Sequence, residues 1–316
     1  MPVTDAAMDT LLEQLRAGRP IPPDALAGAD LSGIDLAGMR LRNLDLRGAR
    51  LNGAKLARTI WQGCRLDEAR FDQAVLTEAS FTACRGRGLS LRGSKADWVS
   101  MRQCVWVDGD FEQADLTRLM ATGASFAGCR LQSATLVKAL FSECDLSGLD
   151  LRGVTWAQCH FPDCRLRGAR FEGAALTQCS FPRVDASEAD FSGVQAPSAS
   201  FHAARLNGTR FDGALLDRAI LDQARLDHAS FAQASLNGSR LYGAASLGVT
   251  FADSKLARAD LSHFQAAHAD FSRADLTGAL LHAVQLPDAL WRQTVLDDVR
   301  RDDPELRAAE LWQPPV

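Results

Sequence analysis

A large apolar residue recurs at every fifth position from Leu26 to Leu296 with no insertion or deletion. The series opens Leu26, Leu31, Leu36, Leu41, and of its 55 positions only Gly86, Ala96, Ala121, Ala186, Ala196, Ser246 and Ala266 lack a large apolar side chain. Fourteen of the 15 Phe keep this phase, Phe264 being the exception. Two residues earlier runs a column of small residues, among them Ala29, Ala49, Ala54, Ala69 and Ala74. Two residues later comes a position holding 21 of the 24 Gly. A period of five matches neither the 3.6-residue helix nor the two-residue strand. The internal repeat therefore decides the fold before any local propensity is considered.

Written out, the repeat is a small residue, Asp or Asn, Leu or Phe, a polar residue, then often Gly. It stands almost unaltered in Ala29-Asp30-Leu31-Ser32-Gly33 and Ala274-Asp275-Leu276-Thr277-Gly278. Over residues 24–296 the chain resembles the pentapeptide-repeat family. That resemblance implies an all-β fold, a right-handed quadrilateral β-helix with four repeats per coil. The central Leu/Phe and the small residue two before it would point inward, and the other three positions outward.

Sorting the central residues at a step of 20 gives an independent sign of that coil. One side collects Phe71, Phe111, Phe171, Phe191, Phe211, Phe231, Phe251 and Phe271, and the side half a coil away collects Phe81, Phe141, Phe161, Phe181 and Phe201. The intervening sides are mostly Leu, with Phe126 between them. Like residues would stack into ladders at the strand spacing of about 4.8 Å, so about 13 coils would make a rod of about 65 Å. In such a solenoid each coil touches only its neighbours.

The exposed edge at each end of a solenoid invites strand addition unless it is covered. Residues 1–23 are expected to form an N-terminal helical cap, its helix over 5–17 stopped by Gly18 and Pro20. The β-helix is assigned to 24–287. Residues 288–316 are expected to form a C-terminal cap, with one or two helices over 288–312 broken near Pro304. Val295, Leu296, Val299, Leu306, Leu311 and Trp312 are available for packing there. In several members of the resembled family a C-terminal element also makes a dimer, which keeps a homodimer through this segment as the rival role.

Composition excludes several classes. The 47% hydrophobic content is enough for a core. No run approaches 18 uncharged apolar residues, so no transmembrane helix is expected. Asp5, Asp9, Glu13 and Arg16 stand where a signal peptide needs an apolar stretch. A soluble protein of the bacterial cytoplasm, without membrane attachment, is the expectation.

All eight Cys (Cys64, Cys84, Cys104, Cys129, Cys144, Cys159, Cys164 and Cys179) fall in the small inward column. They are read as reduced, inert hydrophobes, because parallel stacked Cβ vectors suit a disulfide poorly. Cys159 and Cys164 have zinc-like proximity but no four-ligand set. The six His (His160, His202, His228, His263, His268 and His282) are all expected on outward, solvated positions. No phosphate loop, nucleophile elbow or His-Glu-x-x-His motif is present. An enzyme is not expected, nor a cofactor, nor a metal.

Function should therefore lie on the outward columns. Family members that block type II topoisomerases are understood as mimics of duplex DNA, which demands regular negative charge. The formal net charge here is −4. Residues 1–25 carry four acids and two bases, and 297–316 carry six acids and three bases. Of 39 acids and 35 bases, the repeat body is left with 29 and 30, a net of +1. The belt Asp212, Asp217, Asp222 and Asp227 is interleaved with Arg205, Arg210, Arg218 and Arg225 and is expected to be neutral and salt-bridged. Arg47, Arg65, Arg85, Arg87, Arg165, Arg167, Arg205 and Arg225 flank one face together with Asp45, Asp67, Asp145, Asp185 and Asp227. Direct nucleic-acid binding, which needs a basic stripe, is not expected.

Another face departs from this mixed pattern. Its outward pairs are Met120 and Thr122, Leu140 and Ser142, His160 and Pro162, Ser180 and Pro182, Ser200 and His202, Ile220 and Asp222, with one formal charge among them. An exposed apolar face of that extent marks an interaction site. Met120, Leu140, His160, Pro162, Pro182, His202 and Ile220 are the candidate protein-binding residues. A second candidate is the irregularity at Arg85, Gly86, Arg87 and Trp98. There Gly86 would leave an inward position empty, and Trp98 either folds over it or anchors a partner.

The reading is a non-enzymatic rigid scaffold or adaptor that binds a protein along a flat face. The long, degenerate repeat is similar in texture to members accompanying type VI secretion spikes and effectors, which implies an adaptor, chaperone or accessory role. The alternative is a DNA-mimicking modulator of a type II topoisomerase such as gyrase, conferring drug or toxin protection.

Overall fold

A backbone that turns every five residues must still satisfy every N–H. In the computed structural model, which describes residues 5–301 and 304–312, one repeat shows how. The central Leu51 donates to the Arg70 carbonyl of the next coil at 2.7 Å, and Gly53 to Asp72 at 2.8 Å. Arg50 donates back to Ala29 of the preceding coil at 2.9 Å, and Ala54 closes a turn onto Leu51 at 3.1 Å. The fifth donor follows the central residue. Where Asp precedes that residue, its carboxylate accepts this N–H, as in Asp110 to Glu112 at 2.9 Å and Asp275 to Thr277 at 2.9 Å. This Asx turn is the physical reason for the Asp/Asn in the motif.

The same accounting explains the glycines. The corner residue two after the centre sits in the left-handed region, with φ +63° at Gly53 and Gly63. Side chains resist that conformation by about 1–2 kcal/mol, yet Trp98 and His263 both occupy it at φ +59°. Parallel bridges link each residue to the one 20 positions on, for example Asp30 with Arg50 and Asp260 with Leu280. The fold is thus a right-handed β-helix with four repeats per coil.

The chain divides into two compact units, residues 1–170 and 171–316. In the first, helix α1 (Asp5–Arg16) ends where Gly18 takes φ +68°. Gly18 donates to Leu15 at 2.9 Å and Arg19 to Gln14 at 2.8 Å, a Schellman stop. Leu12 is buried, and a recess lined by Leu15, Ile21, Arg40 and Leu44 lies between helix and first coils. A flat six-stranded parallel sheet then runs up one side through Arg40–Arg42, Ile60–Gln62, Ser80–Thr82, Ser100–Arg102, Met120–Thr122 and Leu140–Ser142. Trp61 stacks on Phe81 at 5.5 Å, and Phe141 on Phe161 at 5.2 Å.

In the second unit the expected aromatic ladder is continuous from Phe171 through Phe191, Phe211, Phe231, Phe251 and Phe271. Centroid spacings are 4.7 to 5.2 Å, and ring planes lie within 16° of parallel. Phe181 and Phe201 make the opposing ladder at 5.0 Å, meeting the first edge-on. Each such pair adds about 0.5–1.5 kcal/mol beyond simple burial.

The C-terminal segment differs from expectation. Bridges continue through Leu290, Val295 and Arg300, and the helix α2 is confined to Pro304–Leu311. The repeat persists because Trp291 still offers an inward ring to stack on Phe271, at 4.7 Å. Most of the apolar residues assigned to packing there do not become core. Trp291 is 36% exposed, Leu311 72% and Trp312 68%, while Val295 is also exposed. Leu296 and Val299 are half-buried, and the side chain of Leu306 lies outside the described residues.

Candidate protein-binding faces

In the first unit the flat sheet sets the outward residues in exact register. Met120 pairs with Leu140, and Leu140 bridges onward to His160. Met120 is 46% exposed and Leu140 38%. His160 is exposed, and Pro162, beside it, half-buried. None of Met120, Thr122, Leu140, Ser142, His160 and Pro162 is Asp, Glu, Lys or Arg. In the second unit the corresponding positions Pro182, His202 and Ile220 are half-buried, so the apolar exposure there is smaller. Asp222, the one acid of this face, is itself buried, accepting from Arg240 and from the Tyr242 amide.

The irregularity divides into two separate places. Arg85–Arg87 is a regular strand paired with Val105–Val107, so no coil is bent. A methyl group at Gly86 would stand 3.0 Å from the Leu66 carbonyl oxygen, so the position is crowded rather than vacant. Trp98 lies more than half a coil further along the chain, at a corner. It is exposed, and the guanidinium of its register neighbour Arg118 lies 4.4 Å over the ring. Trp98 therefore carries a cation–π contact, and Arg85, Gly86 and Arg87 are not grouped with it.

In the charged columns, acid meets base between successive coils at several places. Asp30 meets Arg50 at 2.9 Å, Asp110 meets Arg130 at 2.7 Å, Asp145 meets Arg165 at 3.1 Å, and Asp253 meets Arg273 at 2.6 Å. The acidic belt is held differently than expected. Arg210 pairs with Asp212 at 3.2 Å, but Asp217 and Asp227 accept the Asn237 and Leu247 amides of the next coil, both at 2.9 Å. An outward Asp thus serves as a backbone acceptor as readily as a salt-bridge partner.

All eight cysteines are buried in the inward column, as expected. Burial pushes the Cys129 thiol up to about 12, which leaves it without nucleophilic character near neutrality.

One histidine breaks the outward expectation. His282 is 1% exposed, because α2 lies against it. Glu310 of α2 contacts His263 Nε2 at 2.6 Å and His282 Nε2 at 3.4 Å. Hydrogen bonding from His263 above all, with His282 adding to it, holds the Glu310 carboxyl below its ordinary range against an opposing desolvation. The sequence offers half of this signal, two histidines on consecutive coils. Glu310 comes from outside the repeat and could not be placed by periodicity.

No helix among the described residues is long and apolar enough to cross a membrane. The family model described as pentapeptide repeats (8 copies) matches residues 25–60, 64–103, 97–132, 110–148, 210–244 and 248–282, and a pentapeptide repeat region matches 134–211. A search of curated protein sequences finds no match. Among solved structures, QnrB1, a plasmid-mediated fluoroquinolone resistance protein, is 22% identical over 71% of this chain and 95% of its own, with a TM-score of 0.39. HetL, involved in heterocyst differentiation regulation in the cyanobacterium Nostoc, is 21% identical over 96% and 98%, with a TM-score of 0.28.

Proposed function

Since this chain belongs to the pentapeptide-repeat family, we propose that it is a non-enzymatic scaffold that binds a protein partner through an apolar patch of its sheet face. In the first unit that patch is Met120, Leu140, His160 and Pro162; in the second unit Pro182, His202 and Ile220 are a separate candidate patch. The observation that carries this reading is the in-register exposure of Met120 and Leu140 on one parallel sheet. Exposed apolar surface of this kind is costly to maintain unless something covers it. The finer assignment is an adaptor or chaperone for a type VI secretion spike or effector in the bacterial cytoplasm. The exposed Trp291, Leu311 and Trp312 favour a homodimer through the C-terminal end as an accompanying contact.

The experiment is a crosslinking pull-down from bacterial lysate with the tagged protein beside Met120→Asp/Leu140→Asp/Ile220→Asp. Secretion-apparatus or effector proteins held by wild type and lost from the variant support the reading. Recovery of gyrase or topoisomerase IV, indifferent to the three substitutions, would replace it with topoisomerase modulation. Against that second outcome stand the Asp–Arg pairs that join successive coils.

A further inference from the structure

Two imidazoles and a carboxylate converge where α2 meets the coils of the second unit. The ligand-capable atoms of His263, His282 and Glu310 all lie within 4.8 Å of one another. The backbone fixes the two histidines, because His263 N–H donates to the His282 carbonyl at 2.8 Å across consecutive coils. Their rings stand nearly perpendicular at 5.5 Å, and Tyr242 packs edge-on to His263 at 5.1 Å. Both Nε2 atoms face the carboxylate from different sides, one at each oxygen.

We propose that His263, His282 and Glu310 bind a divalent transition cation of the zinc type, which fastens α2 to the coils. Zinc takes imidazole nitrogen at about 2.0–2.1 Å and carboxylate oxygen at about 2.0–2.2 Å, so ligand atoms on its tetrahedron stand about 3.4 Å apart. The His282 Nε2–Glu310 Oε2 separation is already 3.4 Å. The 2.6 Å His263–Glu310 contact would open to that spacing by rotation of these two partly exposed side chains. Two nitrogens and one carboxylate suit zinc, nickel or copper and disfavour magnesium and calcium, which prefer oxygen ligands.

Three protein ligands leave a fourth position, and the surroundings accommodate one. A recess of about 330 Å³ lined by His282, Ala283, Arg307, Glu310 and Leu311 opens beside the cluster. Arg307 in that recess suits a fourth ligand that is anionic or polarised, such as metal-bound hydroxide. Ser262, the register neighbour of His282 and the chain neighbour of His263, is 2% exposed. Its hydroxyl has no hydrogen-bond partner among the described residues. A buried hydroxyl left unpaired is unusual enough to need an explanation, and water carried by a metal supplies one.

The test is calorimetric titration of untagged, chelator-stripped full-length protein with Zn²⁺, and separately with Mg²⁺, beside His263→Gln and Glu310→Gln. Both substitutions fall on partly exposed side chains, and circular dichroism checks that the variants fold. The expected result is one saturable Zn²⁺ site per chain, no Mg²⁺ site, and affinity lowered by about tenfold or more in each variant. Zn²⁺ should also slow tryptic cleavage at Arg307 in wild type and in neither variant. Absence of a saturable site, or a site indifferent to both substitutions, overturns the proposal. A site that responds to both substitutions but leaves cleavage at Arg307 unchanged removes the fastening role and with it the proposal as stated.

Discussion

At Phe191 and Leu140 the same substitution should have opposite consequences. Phe191 is fully buried, with Phe171 stacked on one side at 4.7 Å and Phe211 on the other at 5.1 Å. Phe191→Asp removes those contacts and buries a charge, and should cost more than the roughly 3–5 kcal/mol of a Phe→Ala truncation. Leu140→Asp adds a solvated charge outside the core, and should change stability by no more than about 0.5 kcal/mol. Denaturant unfolding of the two variants checks this, and equal destabilisation would show that the inward and outward columns had been confused. These columns are the part of the molecule most legible in sequence, since each side chain's direction depends only on its place in the five. The Trp98–Arg118 contact was less legible, because the period predicts which residues are neighbours but not which rotamers they adopt. Gly86 was misjudged for a related reason. A missing side chain resembles a void in sequence, whereas in the coil the Leu66 backbone takes up the room.

Among the elements, the two ends were read unequally. The N-terminal helix carried its own stop signal, Gly18 followed by Pro20, and ended where that signal stands. The C-terminal helix had no comparable start in the repeat pattern, and Trp291 could equally continue a ladder or begin a cap. The ladder prevailed because Phe271 supplies a face for the indole. The burial of His282 followed from α2 and was invisible to a rule that sorts residues by position within a repeat. The end of the second unit presents Leu281, Leu286, Trp291 and Leu296 around a recess of about 530 Å³. If that end pairs two copies of the chain, sedimentation equilibrium should give a dimer for wild type and a monomer for Trp291→Asp. A wild-type monomer at tens of micromolar would remove the homodimer from the proposed function.

For the molecule as a whole, the distribution of charge makes a prediction that composition alone would not. The two end segments together carry −5 against +1 for the repeat body, where Asp–Arg pairs join successive coils. Binding through the apolar Met120–Leu140 patch should therefore be almost indifferent to ionic strength. A mimic of a polyanion should lose affinity steeply, by orders of magnitude, between low and moderate salt. Measuring partner affinity across that range separates the two, and a steep salt dependence would count against the apolar face. The 20-residue register also governs how such a chain can change its length over evolutionary time. Losing one residue would exchange interior for exterior in everything downstream. Losing five would preserve that distinction but turn every later face by a quarter, setting phenylalanines over leucines. Only gain or loss of a full coil leaves all alignments standing, so sixty-nucleotide duplications are the natural unit by which a gene of this kind lengthens or shortens.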